Sequence, residues 1–276
     1  MQTNFYTECK IKNRLAIESL FTFSRRRFAP DYLFKGESHD FTEVVCVIGG
    51  RAGITADKNV HILSAGQLIV HEPNEHHKIW SDGEEMETII FSFRASEFPA
   101  LQSKVFILSP EQIGEIKSAY LAAEKYFVLS GNDVKEIKPE MEYNASALLK
   151  RLEIFLLSVF TSNNVANAKY SSRSAENYTR ILSVMEAELQ EGLSATQIAQ
   201  KCNISVPALE KTMMKFTGKS AMAYYNDMKM KKAIELLSGG ASVKETALSL
   251  GFSNQNYFSA RFKKWSGENP SSLKRL

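Results

Sequence analysis

Near the C-terminal end of the 276-residue chain, two neighbouring carboxamides, Gln255 and Asn256, open the run QNYFSARFKKW. A carboxamide exposed near the start of a helix can pair bidentately with adenine, which makes both residues candidate base readers. Lys215, Lys219, Lys263, Lys264, Lys274 and Arg275 are the cations placed to neutralise phosphate, although each is equally readable as a solvated surface charge. Imidazole chemistry is confined to the other end of the chain, where His39, His61, His71, His76 and His77 all precede residue 80. The three cysteines, Cys9, Cys46 and Cys202, are too far apart for a CxxC knuckle and odd in number, as expected for reduced thiols with packing roles.

The elements that must hold the carboxamides are read from capping signals. Ser242 and Glu245 form a capping box before VKETALSLGF, Gly251 supplies a turn, and Ser253 or Asn254 caps the next helix. In that helix Tyr257, Phe258, Phe262 and Trp265 are expected to face inward, leaving Gln255, Asn256, Ser259 and Ala260 outward and Lys263 near the phosphate backbone. The same grammar stands 48 residues earlier: Ser194 and Gln197 form a box, Asn203-Ile204-Ser205 turns the chain, and Leu209, Met213 and Phe216 point inward. Pro207, Ala208, Glu210, Lys211 and Met214 then face outward. Helix, tight turn, helix is the arrangement that places a reading helix in the major groove. Between the two units, AMAYYNDMKMKKAIELL predicts a rod of ~25 Å, suited to holding two reading helices on grooves about 34 Å apart.

The first half has a different texture. From Phe41 to Phe93, short apolar runs alternate with turn signals at Gly49-Gly50, Asp57-Lys58-Asn59, Pro73-Asn74 and Asp82-Gly83, which predicts a β-sandwich or small barrel. Ser109, Pro110 and Glu111 then open a helix. A second amphipathic run puts Leu148, Leu149, Leu152, Phe155, Leu156 and Val159 on one face, for packing on its own domain or, alternatively, as a dimer helix. The polar stretch TSNNVANAKYSSRSAEN reads as a linker.

Charge divides along the same line. Residues 171–276 carry 15 Lys and Arg against 9 Asp and Glu, whereas residues 1–170 carry 19 against 22, the asymmetry of a nucleic-acid-binding module joined to a different one. Hydrophobic residues at 44% and charged residues at 24% fit a globular protein and exclude disordered or fibrous classes. No apolar run approaches the ~18 residues of a spanning helix and the first residues lack a secretory apolar core, so the expected location is cytoplasmic, without membrane contact.

The C-terminal module resembles the AraC/XylS family of bacterial transcription regulators. The second unit carries the match at Ala247, Gly251-Phe252-Ser253-Asn254, Tyr257-Phe258, Phe262-Lys263-Lys264, Gly267 and Pro270. The first unit adds Leu193, Ser194, Ile198-Ala199, Ser205, Leu209 and Gly218, followed by Ser220, Tyr224, Ala233 and Leu236-Leu237. Met213, Met214, Lys229, Asn269 and Leu273 depart from the family's usual residues. The resemblance implies base contacts from Pro207, Glu210 and Lys211 in the first unit, beside Gln255, Asn256 and Ala260 in the second. Glu210 could accept from cytosine, or serve only as a solvated helix charge.

The segment Glu37-Ser38-His39-Asp40-Phe41-Thr42-Glu43, with Gly49-Gly50, Gly66-Gln67-Leu68 and Pro73-Asn74-Glu75-His76-His77, resembles the cupin-type barrel found ahead of this module in many family members. His39, Glu43 and either His76 or His77 follow its metal-binding version, with Glu37 where that version has its first histidine. A set of Glu37, His39, Glu43 and His77 suits zinc, iron or manganese. Regulatory cupins usually lack metal, however, so the reading adopted is a polar effector pocket of His39, Glu43 and His77, with no metal and no cofactor.

The whole is expected to be an α+β multidomain protein with a β-rich cupin-like barrel, following helices and an all-α domain of two helix-turn-helix units. The sensor domain would span 1–162 (barrel about 20–100, helices about 109–162), the linker 163–174 and the DNA-binding domain 175–276. The expected function is a non-enzymatic, sequence-specific regulator, an activator answering a small polar effector. Its expected partners are double-stranded DNA and RNA polymerase, with homodimerisation left open. The competing readings are a metal-dependent cupin enzyme with an accessory DNA-binding domain and a regulator controlled by a partner protein.

Overall fold

The computed structural model describes residues 7–162 and 164–275, with the side chains of residues 274 and 275 outside that description. Strands β1 (Ala16–Phe28), β2 (Thr42–Gly49), β3 (Arg51–Ala56), β4 (Asn59–Ser64), β5 (Gln67–His71), β6 (His77–Ser81), β7 (Met86–Glu97) and β8 (Val105–Ile107) come first. Helix α1 (Pro110–Tyr126), a hairpin of β9 (Phe127–Ser130) and β10 (Asp133–Ile137), and α2 (Glu142–Thr161) follow. The remainder is helical: α3 (Arg173–Ala187), α4 (Ala195–Lys201), α5 (Val206–Thr217), α6 (Ala221–Ser238), α7 (Val243–Ser249), α8 (Gln255–Ser266) and a 3-10 segment, Pro270–Arg275.

The strands form two antiparallel sheets, one ordered β8-β5-β2-β7-β1-β10-β9 and the other β4-β3-β6. Strand β2 shows why its sequence is almost continuously apolar. Val44 and Cys46 point into a core shared with Leu148, Leu152 and Phe155 of α2, while Val45 and Val47 point into a second core with Ile54 and Leu63 of the smaller sheet. With both faces covered, the alternation of a half-exposed strand disappears.

Three expectations change. The segment following Leu108 is not all helix: β9 and β10 form a hairpin across Gly131-Asn132 and join the large sheet where Thr22 pairs with Asp133. The sheets also begin earlier and end later than residues 20–100, at Ala16 and at Ile107. The polar stretch read as a linker is strapped along sheet edges, with Ile62 donating to Ala168 O at 2.9 Å, Ala166 to Val105 O at 3.1 Å and Tyr170 to Val60 O at 2.7 Å. Its last residues are already helical, since α3 starts at Arg173 under a Ser172 cap. Backbone groups that find partners on a strand edge need no apolar periodicity, so the sequence pattern was silent there.

The apolar face of α2 packs within its own domain. Leu148, Leu152, Phe155, Leu156 and Val159 are buried against α1 and the large sheet, with Leu149 partly buried beside them. That occupation removes the face offered for a dimer helix. No helix among the described residues is long and apolar enough to cross a membrane.

Candidate nucleic-acid interface and sensing site

Both helix-turn-helix units are built from local capping chemistry. In the first, the Ser194 side chain accepts from the Gln197 amide at 3.3 Å while Gln197 Oε1 accepts from the Ser194 amide at 2.8 Å. Asn203 turns the chain at φ 53°. Ser205 caps α5 through the Ala208 amide at 3.3 Å, and Pro207 occupies the first turn, where a missing N–H breaks no helical bond. Leu209, Met213 and Phe216 are buried, in a core that extends to Tyr178 and Ile181 of α3.

The second unit repeats this. Glu245 and Ser242 form the same reciprocal box at 3.1 and 2.7 Å, and Asn254 Oδ1 caps α8 by accepting from the Asn256 amide at 2.7 Å. Phe258 and Phe262 are buried with Met230, Ala233 and Leu237 of α6. Lys229 is buried too. Its ammonium donates to Leu250 O at 2.7 Å and lies over the rings of Tyr225 and Phe252, tying α6 to the turn of this unit.

Gln255, Asn256, Ala260, Lys263 and Lys264 are exposed on α8, as are Pro207, Lys211 and Lys215 on α5. Four side chains sit otherwise than their sequence pattern suggested. Tyr257 and Trp265 do not face inward: they are 52% and 39% exposed, with the Tyr257 hydroxyl accepting from Arg261 at 2.8 Å and the Trp265 indole donating to Asp227 at 3.0 Å. Glu210 is half-buried and accepts from the Ala221 amide at 3.1 Å, so it caps the start of α6 and is not presented as a cytosine reader. Lys219 is paired with Asp227 at 2.6 Å, which competes with any phosphate. The side chains of Lys274 and Arg275 lie outside the described residues.

The barrel grips the first unit at the C-terminal end of its reading helix. Lys78 of β6, only 2% exposed, donates to Lys215 O at 2.6 Å and Met214 O at 3.2 Å, placing a cation on the negative end of α5. Thr55 of β3 donates to Phe216 O at 3.0 Å. Trp80 lies flat against Gly53, where a Cβ would come within 2.0 Å of the indole, and its ring sits 6.1 Å from Phe216. Gly218 completes the joint at φ 71°, with Lys35 O so close that a Cβ would stand 1.9 Å from it.

Tyr178 and Thr179 of α3 donate to Asp57 O at 2.6 Å and Lys58 O at 2.8 Å, Lys58 pairs with Glu186, and Lys231 of α6 donates to Asn74 O at 2.6 Å. These bonds border a cleft of about 760 Å³ lined by Asp57, His76, Lys219, Tyr224, Asp227 and Lys231. Burial, aided by the charge of Lys219, pushes His76 down to about 3, so it is neutral there. Sequence reasoning missed this joint entirely. A lysine in a strand gives no local sign that it caps a helix more than 130 residues away.

His39, Glu43 and His77, the expected effector pocket, do not line the cleft. They meet inside one mouth of the barrel. Glu43 is the second residue of β2, in register with His71 at the end of β5, and points the same way as Val45 and Val47 into the space between the sheets. His77 Nε2 stands 3.3 Å from Glu43 Oε1 and 3.7 Å from Glu37 Oε1, and His39 Nε2 stands 3.9 Å from Glu43 Oε2. Burial works to lower His77, but its contacts with Glu37 and Glu43 prevail and raise it to about 10, whereas burial lowers His39. Behind them His71 stacks on His77 and bonds Glu75 at 2.9 Å, and Glu75 also meets Lys104. Despite burial, those partners hold Glu75 down to about 2. Sequence reasoning also missed His71, Glu75 and Lys104, whose role depends on pairing between distant strands.

Comparison with known proteins agrees with both halves. A helix-turn-helix domain model matches residues 198–276, and an AraC-like ligand binding domain model matches residues 24–129. The chain is 21% identical over 252 residues to the HTH-type transcriptional activator RhaR of Mannheimia succiniciproducens, covering 90% of this chain and 88% of that protein. It is 22% identical over 241 residues to the HTH-type transcriptional activator RhaS of Escherichia coli, covering 85% of each. Among solved structures, ToxT of Vibrio cholerae aligns over 92% of this chain and 96% of its own at 14% identity and a TM-score of 0.37. An AraC-type regulator from Chromobacterium violaceum aligns over 37% of this chain and 91% of its own at 27% identity and a TM-score of 0.35. With a ligand-binding barrel ahead of two helix-turn-helix units, the chain belongs to the AraC/XylS family of DNA-binding transcriptional regulators.

Proposed function

We propose that this protein activates transcription by placing α5 and α8 in successive major grooves of its operator, and that a small polar effector in the barrel mouth at His39, Glu43 and His77 sets how firmly α5 is held. Gln255 and Asn256 read adenine edges, with Ala260 against the same groove, while Pro207 and Lys211 contact bases from α5. Lys215, Lys263 and Lys264 neutralise phosphates. The units of the protein are a sensor over 1–162, a connecting segment over 163–172 and a reader that begins with α3 at Arg173. Activation, by analogy with the relatives named as activators, requires a contact with RNA polymerase. The protein acts as a regulator and not an enzyme.

The observation that carries this reading is the asymmetry between the two units. Bonds from the barrel reach α3, α5 and α6, and they hold the C-terminal end of α5 while leaving Pro207 and Lys211 near its N-terminal end exposed. Reading helices use residues near the N-terminal end, so docking and reading are compatible, and a change in the barrel has a direct route to one reader. The test is purification of genomic fragments bound by the full-length protein at fixed salt. A recurrent motif with two elements one helical turn apart, upstream of transcribed genes, is expected. Binding that follows salt alone, without a motif, would overturn the reading.

A further inference from the structure

We infer that Asp227 is a positioning residue that fixes α8 relative to α5 and so sets the operator spacing the protein accepts, an inference that rests on the two-groove reading above. The two helix-turn-helix units have separate apolar cores that share the rod α6. Tyr224 and Tyr225 of α6 belong to the first, with Leu209, Met213 and Phe216 of α5. Met230, Ala233 and Leu237 belong to the second, with Phe258 and Phe262 of α8. Asp227 stands at the seam, where apolar packing passes from one unit to the other.

Its carboxylate spans that seam. Oδ2 accepts from Lys219 Nζ at 2.6 Å, in the turn that leaves α5, and Oδ1 accepts from the Trp265 indole at 3.0 Å, in the last turn of α8. The Asp227 side chain is 23% exposed, so water competes only weakly for these bonds. An ion pair to a lysine as exposed as Lys219 contributes little stability by itself. Its effect is geometric: a single carboxylate holds both units, and an ionised acceptor makes shorter and stronger bonds than a neutral one. The indole N–H donates and cannot accept, which commits Trp265 to that acceptor. On the other side of α6, ~200° around the helix, Lys229 holds Leu250 O at 2.7 Å, at the turn ahead of α8. The second unit is thus gripped at its turn by Lys229 and at the end of its reading helix by Asp227, which together stop α8 from swinging about the rod.

The tolerance that this bridge must meet is set by DNA. One base pair occupies ~3.4 Å of the duplex axis, so a displacement of α8 by that amount changes the preferred spacing by one pair. The bridge also begins at the barrel joint. Lys219 follows Gly218, which lies against Lys35 O, and stands four residues after Lys215, whose carbonyl Lys78 caps. Through Lys219, Asp227 and Trp265, the barrel's hold on the end of α5 extends to α8.

Asp227→Ala removes both arms of the bridge and Trp265→Phe one of them, while Lys232→Ala, which breaks a pair with Glu235 elsewhere on α6, is the control. With the exposed Cys9 replaced by serine, spin labels at Lys211→Cys and Ala260→Cys report the separation of α5 and α8 in the full-length protein without DNA, with folding checked by circular dichroism. Asp227→Ala and Trp265→Phe are expected to broaden or shift the distance distribution by ~3.4 Å or more, the rise of one base pair, and the control to match the wild type. On duplexes whose two motif elements are moved apart or together by one base pair, the unlabelled wild type is expected to lose affinity about tenfold and Asp227→Ala about threefold or less. A distance distribution in both variants that matches the wild type would overturn the assignment, and so would unchanged discrimination between spacings. A wild type that selects no two-part motif would instead refute the two-groove reading, and the distance measurement, made without DNA, still decides whether Asp227 fixes one reader against the other.

Discussion

Replacing Lys78 with methionine isolates what the barrel does to the first reader, because methionine preserves much of the apolar stem and removes only the ammonium. That ammonium makes two bonds, at 2.6 Å to Lys215 O and 3.2 Å to Met214 O, from a residue 2% exposed. A hydrogen bond from a charged group contributes about 1.5–3 kcal/mol. The two do not sum to twice that figure. Met214 O keeps its helical partner, the Gly218 amide at 3.0 Å, and the variant is relieved of desolvating a cation, whose burial already lowers the Lys78 pKa. The net loss is therefore about 1.5–3 kcal/mol, dominated by the Lys215 carbonyl left without its cation. For a chain of this size, that lowers the melting midpoint by ~3–5 °C. Scanning calorimetry combined with amide exchange measures it, with faster exchange expected in the last turn of α5 and in β6 and little change in α8. A midpoint within ~1 °C of wild type, with unaltered exchange across residues 206–219, would refute the claim that Lys78 fastens the two parts together.

Gly53→Val drives a side chain into the space of the Trp80 indole and should cost about 1–3 kcal/mol or more by overpacking, read as a lower urea midpoint; an unchanged midpoint would mean that Trp80 is free to move. Asn254→Ala removes the cap of α8, with an expected loss of ~1 kcal/mol in thermal or denaturant melts and weaker operator binding; equal stability would assign the cap to another residue. Lys263→Ala with Lys264→Ala should reduce the salt dependence of DNA binding by a slope of ~1 for each phosphate that these lysines neutralise, and an unchanged slope would make both merely solvated. His61 gives a pH signature. Burial first, and then the charge of His71, hold it down to about 4, so between pH 6.5 and pH 4 the unfolded chain binds the proton that the folded chain refuses. Stability from this group is complete above pH 6.5 and lost as pH falls toward 4, by up to ~3 kcal/mol at 1.36 kcal/mol per unit. His61→Leu should flatten that part of the melting profile, and an equally steep profile in the variant would refute the assignment.

What was readable in the sequence was local. Capping boxes at Ser194 and Ser242, the Asn203 and Gly251 turns and the buried faces of α5 and α8 are set by residues within one or two turns of each other, so composition and spacing reveal them. The order of short strands and turns was equally visible from residue 41 onward. What escaped was long-range. Trp265 is apolar by type but its indole reaches Asp227 of α6, a partner that only the packed arrangement of α6 and α8 supplies. Glu210 looks like a free helix charge until the start of α6 is brought to it. The hairpin at residues 127–137 was hidden between two stronger helical patterns, and the strapped segment ahead of α3 is held by backbone bonds that side-chain patterning does not encode. The barrel-mouth cluster falls between these cases: its residue types were visible, but their convergence required β2 and β6 to face each other across the sandwich.

The most direct test of the central claim is selection of bound sequences from randomised duplex DNA at fixed salt, run in parallel on wild type, Gln255→Ala with Asn256→Ala, and Lys211→Ala. If two helices read two adjacent grooves, the wild type yields a two-part motif, the α8 double variant loses information in one part only, and Lys211→Ala loses it in the other. A motif that is unchanged in all three proteins, or that never emerges above random sequence, would contradict the account.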